Sequence, residues 1–263
     1  MITIQKYVRA QSLEEAWELN QARRNRIVGG MLWLKMSQLN VATAIDLCDL
    51  GLDAIEETDE GFSIGAMVSL RALEQHEGLA RYTGGLVRHA VEHIVGVQLR
   101  NMATVGGSLW GRFGFSEVLT AFLAMDAQVE LHKGGVIPLE KFAAMKPDRD
   151  VLVRLIIRKT PGRFAWQAVR NQRTDFPVLC CAASQVGGEY RVVIGARPGR
   201  GLLLRDESGL LEAGISPESA ARFAADVAAR TPVGSNHRAS AAYRTHLIRV
   251  LVQRAITELG GNA

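Results

Sequence analysis

Two glycine pairs carry the clearest chemical signal in this sequence. Gly29-Gly30 follows the short apolar run Ile27-Val28, and Gly106-Gly107 stands between Thr104 and Ser108. Paired glycines let the backbone approach a ligand closely and turn successive N–H groups toward an anion. A flanking hydroxyl adds a further donor, so two such loops suit a pyrophosphate gripped from both sides. Neither loop has the G-x-G-x-x-G or Walker A spacing, which argues against Rossmann and P-loop nucleotide sites. A lone Gly-Gly pair is more often an ordinary tight turn, and spacing alone leaves that reading open.

Other residues of chemical interest weigh less. His89, Glu92 and His93 fit the H-x-x-E-H spacing of inverted zinc peptidases, which would put both histidines on one helical face. Zinc hydrolysis also needs a third protein ligand and an open water position. No later motif supplies that ligand, so a solvated or structural histidine pair is expected and no metal site is assigned. Arg197, Arg200 and Arg205 read as a solvated basic loop, and Phe164 and Trp166 as alternate positions of a half-buried strand. The three cysteines are Cys48, Cys180 and Cys181, the last two inside an apolar run. Such cysteines are usually buried strand residues, and three cannot build a four-thiolate cluster. Redox chemistry here would have to use an organic cofactor.

The elements that must position these residues follow from composition and pattern. At 263 residues, 48% hydrophobic and 22% charged, the chain is of ordinary globular type, which excludes intrinsic disorder. No run approaches the roughly 18 apolar residues of a membrane span, and the amino terminus lacks a signal-peptide pattern. A cytoplasmic protein without a membrane partner is the expectation. The net charge of +4 comes without a basic run interleaved with aromatics, so no nucleic-acid partner is expected. Ser12 and Glu15 open a helix, short strands are expected at 26–28 and 44–47, and Gly61 closes a hairpin turn. Residues 85–96 and 116–125 read as helices, 99–108 as a non-helical segment, and 127–131 and 151–158 as strands. Beyond about 160 come three strands, two of them joined by Gly187-Gly188, then two helices, the first opened by Ser216-Pro217. The last helix places Tyr243, Leu247, Leu251 and Ala255 on one stripe.

The segment 99–129, LRNMATVGGSLWGRFGFSEVLTAFLAMDAQV, resembles the second flavin-binding stretch of the FAD-binding (medium) subunit of molybdenum hydroxylases, the xanthine dehydrogenase and carbon monoxide dehydrogenase family. Ile27-Val28-Gly29-Gly30 is similar to the first glycine loop of that family. Ala44 to Leu47, Ser63 to Met67, Arg173 to Phe176, Val193 to Ala196 and Ala239 to Arg244 match it in order and spacing. The resemblance implies an α+β chain. Residues 1–160 would form two α/β subdomains of the PCMH-type FAD-binding fold, roughly 1–52 and 53–160. Residues 161–263 would form a small C-terminal domain of a three-stranded antiparallel sheet with helices.

It also implies roles for named residues. Ile27, Val28, Gly29, Gly30, Met31 and Leu32 would surround the FAD pyrophosphate, and Thr104, Gly106, Gly107 and Ser108 would close over its other side. Glu117 stands where the family has an aspartate for the adenosine ribose. No catalytic acid, base or nucleophile is implied. The implied partners are a molybdopterin-binding large subunit and a [2Fe–2S] small subunit, with NAD or another acceptor taking electrons from FAD. Met31-Leu32 departs from the family's hydroxyl and polar residue, and removes a phosphate donor. The alternative expectation is a degenerate member without FAD that serves as an assembly or interaction subunit.

Overall fold

A computed structural model describes residues 1–261. The fold is mixed α and β, with three sheets distributed over two compact units. The first unit comprises Met1–Leu73, Val97–Gly111 and Ala127–Arg158; the second comprises Glu74–Gly96, Arg112–Asp126 and Lys159–Ala263.

In the first unit β1 (Thr3–Arg9), β2 (Arg26–Val28) and β3 (Asn40–Asp46) form a parallel sheet in the order β1-β3-β2. Parallel neighbours need a crossover. The helix Leu13–Asn20 supplies one, capped by the Ser12 hydroxyl, which accepts the Glu15 N–H at 3.1 Å. Its Ala16, with Leu13 and Trp17 beside it, packs in a core with Ile45, Leu47, Ile27 and Val153. The strands β4 (Ile55–Glu57), β5 (Gly61–Gly65), β6 (Ala127–Leu131), β7 (Gly135–Pro138) and β8 (Leu152–Arg158) form an antiparallel sheet in the order β4-β5-β8-β6-β7. The hairpin at Gly61 and the strands at 127–131 and 151–158 stand where periodicity put them.

Residues 99–108 differ from the sequence reading. They lie in two helical turns, Val97–Met102 and Val105–Trp110. Glycine and β-branched residues such as Thr104 and Val105 have poor helix propensity, but tertiary packing overrides so weak a bias. Thr104 caps the second turn with its hydroxyl, accepting the Gly107 N–H at 3.1 Å.

In the second unit β9 (Gly162–Arg170), β10 (Pro177–Val186), β11 (Glu189–Gly195) and β12 (Leu202–Arg205) form an antiparallel sheet in the order β12-β11-β10-β9. This sheet has four strands, not the expected three. The Leu202–Leu204 run carries no alternation to mark it as a strand, yet it pairs in register with Val192–Ile194. Arg205 then pairs with Glu189 at 2.9 Å. The helices Pro217–Arg230 and Ala241–Leu259 pack Phe223, Val227, Ile248, Leu251 and Val252 against Cys181, Ala183, Val192 and Ile194. The opposite face carries the helix Glu117–Leu123, beside which the Ser184 hydroxyl donates to the Ala124 carbonyl. Cys180 and Cys181 are therefore core residues; burial pushes the Cys181 thiol up to about 12, where it stays protonated.

The stripe expected on the last helix is shifted by one residue. Tyr243 is 47% exposed while Arg244 is 1% exposed. The Arg244 guanidinium donates to the carbonyls of Val178, Gly234 and Ala239 and to Asn236 Oδ1, at 2.7–2.9 Å. It ties the 234–239 loop to β10 through a planar fork of donors that lysine lacks. Arg244→Lys is expected to lower unfolding free energy by about 2 kcal/mol, because buried carbonyls lose donors; denaturant titration measures it. Among the described residues, no helix is long and apolar enough to cross a membrane.

Candidate functional site

In the first unit the chain leaves β2 at Val28 and enters Gly29-Gly30 at the carboxyl end of the parallel sheet, the end where open α/β sheets bind ligands. Ile27 and Val28 are committed to the ladder with Ile45 and Asp46. The two glycine loops lie against each other. A Cβ on Gly29 would stand 2.6 Å from Thr104 Oγ1, and one on Gly30 would overlap the Met102 carbonyl oxygen. A Cβ on Gly106 would meet the Ala66 carbonyl at 2.7 Å. Glycine is required at Gly30 because backbone meets backbone there.

The loops differ in the donors they present. Gly106 gives its N–H to the Ala66 carbonyl at 2.7 Å, Gly107 to Thr104 Oγ1, and Ser108 to the Thr104 carbonyl at 3.0 Å. The Ser108 hydroxyl also donates to the Thr104 carbonyl at 2.9 Å. By contrast, among the described residues no hydrogen bond engages the N–H groups of Gly29, Gly30, Met31 or Leu32. Met31 has φ of +57°, a left-handed conformation that costs an ordinary residue roughly 1–2 kcal/mol. The result is a run of unspent amides beside the Thr104 hydroxyl, which accepts from Gly107 and keeps its own proton to donate. That cradle fits a diphosphate. Sequence reasoning missed this division of labour, since both loops carry the same Gly-Gly signature.

Thr104→Val is expected to cost about 1 kcal/mol through the lost cap. The same substitution removes one donor facing the cradle, so the midpoint shift in unfolding should be accompanied by weaker FAD binding.

Ten of the eleven residues named from the sequence thus lie together in the first unit. The eleventh, Glu117, belongs to the second. Ser116 caps its helix, accepting the Leu119 N–H at 3.2 Å. The Glu117 carboxylate is 5% exposed and paired with Arg170, itself 7% exposed. Burial pushes Glu117 up to about 7, against the pull of the Arg170 charge and hydrogen bond. Arg170 also donates to the Asp175 carbonyl at 2.8 Å, and Arg238 pairs with the Asp175 carboxylate at 3.0 Å while lying 5.0 Å from the centre of the Phe176 ring. Arg170 was missed; its place at the end of β9 was the available signal, since an inward position there needs a counter-charge.

The remaining candidates are accounted for locally. Glu92 is 2.9 Å from His89 and 3.7 Å from His93, and among the described residues no group of three or more His, Cys, Asp or Glu side chains gathers to hold a metal. Arg197 donates to the carbonyls of Arg200 and Pro232 at 2.7 and 2.6 Å, which makes it a loop clamp.

A parallel sheet with a glycine loop at its carboxyl end is the arrangement in which open α/β proteins bind ligands. Residues 2–159 match the model of the FAD binding domain in molybdopterin dehydrogenase, and residues 164–259 that of the CO dehydrogenase flavoprotein C-terminal domain. The chain belongs to this family, the FAD-binding medium subunits of molybdenum hydroxylases, and is an oxidoreductase subunit with FAD as its cofactor. It is 26% identical over 254 residues to the uncharacterized protein YgfM of Escherichia coli K12, covering 95% of this chain and 94% of that protein. It is 23% identical to the nicotine 6-hydroxylase medium subunit of Paenarthrobacter nicotinovorans, covering 97% of each. Among solved structures, reconstituted CO dehydrogenase from Oligotropha carboxidovorans has the same fold, with a TM-score of 0.84 at 20% identity over 99% of each chain.

Proposed function

We propose that this chain carries FAD as the electron-transfer subunit of a molybdopterin-dependent hydroxylase or dehydrogenase. Electrons would arrive from the iron–sulfur clusters of a [2Fe–2S] small subunit, reduced in turn by a molybdopterin-binding large subunit, and leave to NAD or another acceptor. The observation that carries the reading is the run of four unspent amides, Gly29 to Leu32, beside Thr104. In this reading those amides and the Thr104 hydroxyl hold the pyrophosphate, with Ile27 and Val28 fixing the strand that delivers them. Gly106, Gly107 and Ser108 shape the second wall by allowing close packing, since their own donors are spent. For Glu117 the role at the adenosine ribose is the one the family resemblance assigns.

Bound flavin supplies two-electron and one-electron chemistry that no amino-acid side chain offers. The chain's own work is to bind it, orient it and limit access of water. We read residues 1–160 as the FAD-binding domain and 161–263 as the C-terminal domain, a division that the ranges of the two family matches support. A cytoplasmic location is part of this reading, since among the described residues none of the three cysteines is in a disulfide.

The test is the absorption spectrum of the purified chain. Flavin bands at about one FAD per chain, bleached by dithionite, are expected. A chain that stays colourless after reconstitution with excess FAD would overturn the reading. That second outcome would favour an assembly subunit without flavin, for which the apolar Met31-Leu32 pair is the specific observation.

A further inference from the structure

The other end of the parallel sheet carries a feature that the flavin site does not use. The turn between the helix Leu13–Asn20 and β2 contains Arg23 and Arg24, both exposed, and leads into half-buried Arg26. Arg149, from the loop before β8, folds onto the same turn. Its Nη1 donates to the carbonyls of Asn20 and Ala22 at 2.9 and 3.1 Å, and its Nη2 to that of Arg23 at 2.8 Å. Arg26 Nη1 donates to that same Arg23 carbonyl at 2.6 Å and to the Asn25 carbonyl at 2.7 Å. Two guanidinium groups therefore share one oxygen.

Among the described residues, no carboxylate pairs with any of these four arginines. Of the two aspartates flanking Arg149, Asp148 accepts the Asp150 N–H at 3.0 Å, and Asp150 accepts the N–H groups of Lys133, Gly134 and Val151. Burial, and then the charges of Arg149 and Arg23, push Arg26 below the ordinary guanidinium range. Like charges held this close by neutral carbonyls, without a counter-ion, leave a fixed positive field that an anionic partner relieves. Two of the four side chains are already ordered, which lowers the entropy lost on binding.

We propose that Arg23, Arg24, Arg26 and Arg149 form a docking surface for a carboxylate-rich face of another subunit of the assembly. This rests on the reading of the chain as one component of a larger enzyme. The surface is separate from the flavin cradle, because β2 runs from Arg26 to Val28 with the arginines at its start and Gly29-Gly30 at its end. A protein face is favoured over a small anion by what else stands at that end of the sheet. Leu39, 42% exposed, precedes β3 there, its carbonyl accepting the Thr3 N–H, while Ala42 N–H reaches the Arg24 carbonyl. Arginines beside an exposed apolar side chain such as Leu39 match the composition of protein interfaces. The net charge of +4 adds long-range attraction to an acidic partner.

The experiment compares wild type with the charge reversal R23E/R24E, at two exposed positions, each co-expressed with the large and small subunits. Association is measured by surface plasmon resonance at rising NaCl, and FAD per chain is read from the spectrum. Wild type should associate with an affinity that falls with salt. R23E/R24E should associate about tenfold more weakly or worse at low salt, with unchanged FAD content. Equal affinity and equal salt dependence in the variant would overturn the docking surface while leaving the flavin reading intact. A wild-type chain with one FAD that binds neither subunit at any salt would overturn the assembly reading, and this inference with it. Calorimetric binding of inorganic pyrophosphate that R23E/R24E abolishes, with subunit association unchanged, would assign the cluster to a small anion and also overturn the proposal.

Discussion

Replacing Gly30 by alanine should abolish stoichiometric flavin in the purified chain and lower its unfolding free energy by about 3 kcal/mol. The added methyl would overlap the Met102 carbonyl oxygen, with the carbonyl carbon and the Ala103 nitrogen directly behind it. A flexible side chain could swing aside, but a peptide group can move only with its neighbours. Overpacking a tight site costs typically about 1–3 kcal/mol, and backbone-against-backbone contact belongs at the upper end. The strain would be relieved by parting the two glycine loops. That motion displaces the unspent amides of Gly29 to Leu32 from Thr104, so binding and stability should fall together. Gly51→Ala is the control, for a methyl added there would meet nothing within 4 Å, and only the φ of +64° opposes the change. It should cost about 1 kcal/mol and leave flavin content unchanged. Flavin absorbance and guanidinium unfolding on both variants decide the matter. Full flavin in Gly30→Ala would show that the two loops do not act as one cradle.

The second large effect is a pH dependence. Glu117 is raised from 4.5 to about 7 in the folded chain, chiefly by burial. A carboxyl raised in the native state binds more protons folded than unfolded, so its contribution favours folding below the unfolded value. That stability is lost as pH rises from about 4.5 through about 7. The integrated change is about 3 kcal/mol. Groups lowered in the native state, such as Asp175 beside Arg238, act with the opposite sign at more acid pH. The useful quantity is therefore the difference between wild type and Glu117→Gln across pH 4.5–8. Glu117→Gln keeps the site neutral, as protonated Glu117 does, so its stability should be nearly flat across the window and should not fall as the pH rises to 8. Parallel stability–pH curves for the two proteins would refute the buried-carboxylate account. Arg170→Met supplies an independent check. At pH 5 the protonated Glu117 tolerates the loss, while at pH 8 the unpaired buried charge should cost about 3–5 kcal/mol.

Much of this was legible because short-range rules governed it. Ser12 and Ser216 announced their helices through side-chain caps that act within three residues. Gly187-Gly188 announced a hairpin because the turn lies entirely within it. The elements that were misread depend on distant partners. Residues 99–108 become helical because Gly106 finds Ala66 and Val105 finds Val68. The strand β12 exists because β11 offers it an edge. Arg244, rather than Tyr243, turns inward because three carbonyls and one side-chain amide from 178 to 239 await its guanidinium.

The sequence by itself determined the family and the flavin cofactor it implies, because the glycine pairs and flanking hydroxyls that carry the resemblance are local and specific. Only the tertiary structure decided which loop has donors to give. Hydrogen bonds to Ala66 and within the 104–108 turn consume the second loop's amides, while those from Gly29 to Leu32 stay unspent. The same holds for Glu117, whose carboxylate meets a buried arginine 53 residues away. A residue's type is written in the chain, but whether its polar groups are spent depends on what folding brings beside it.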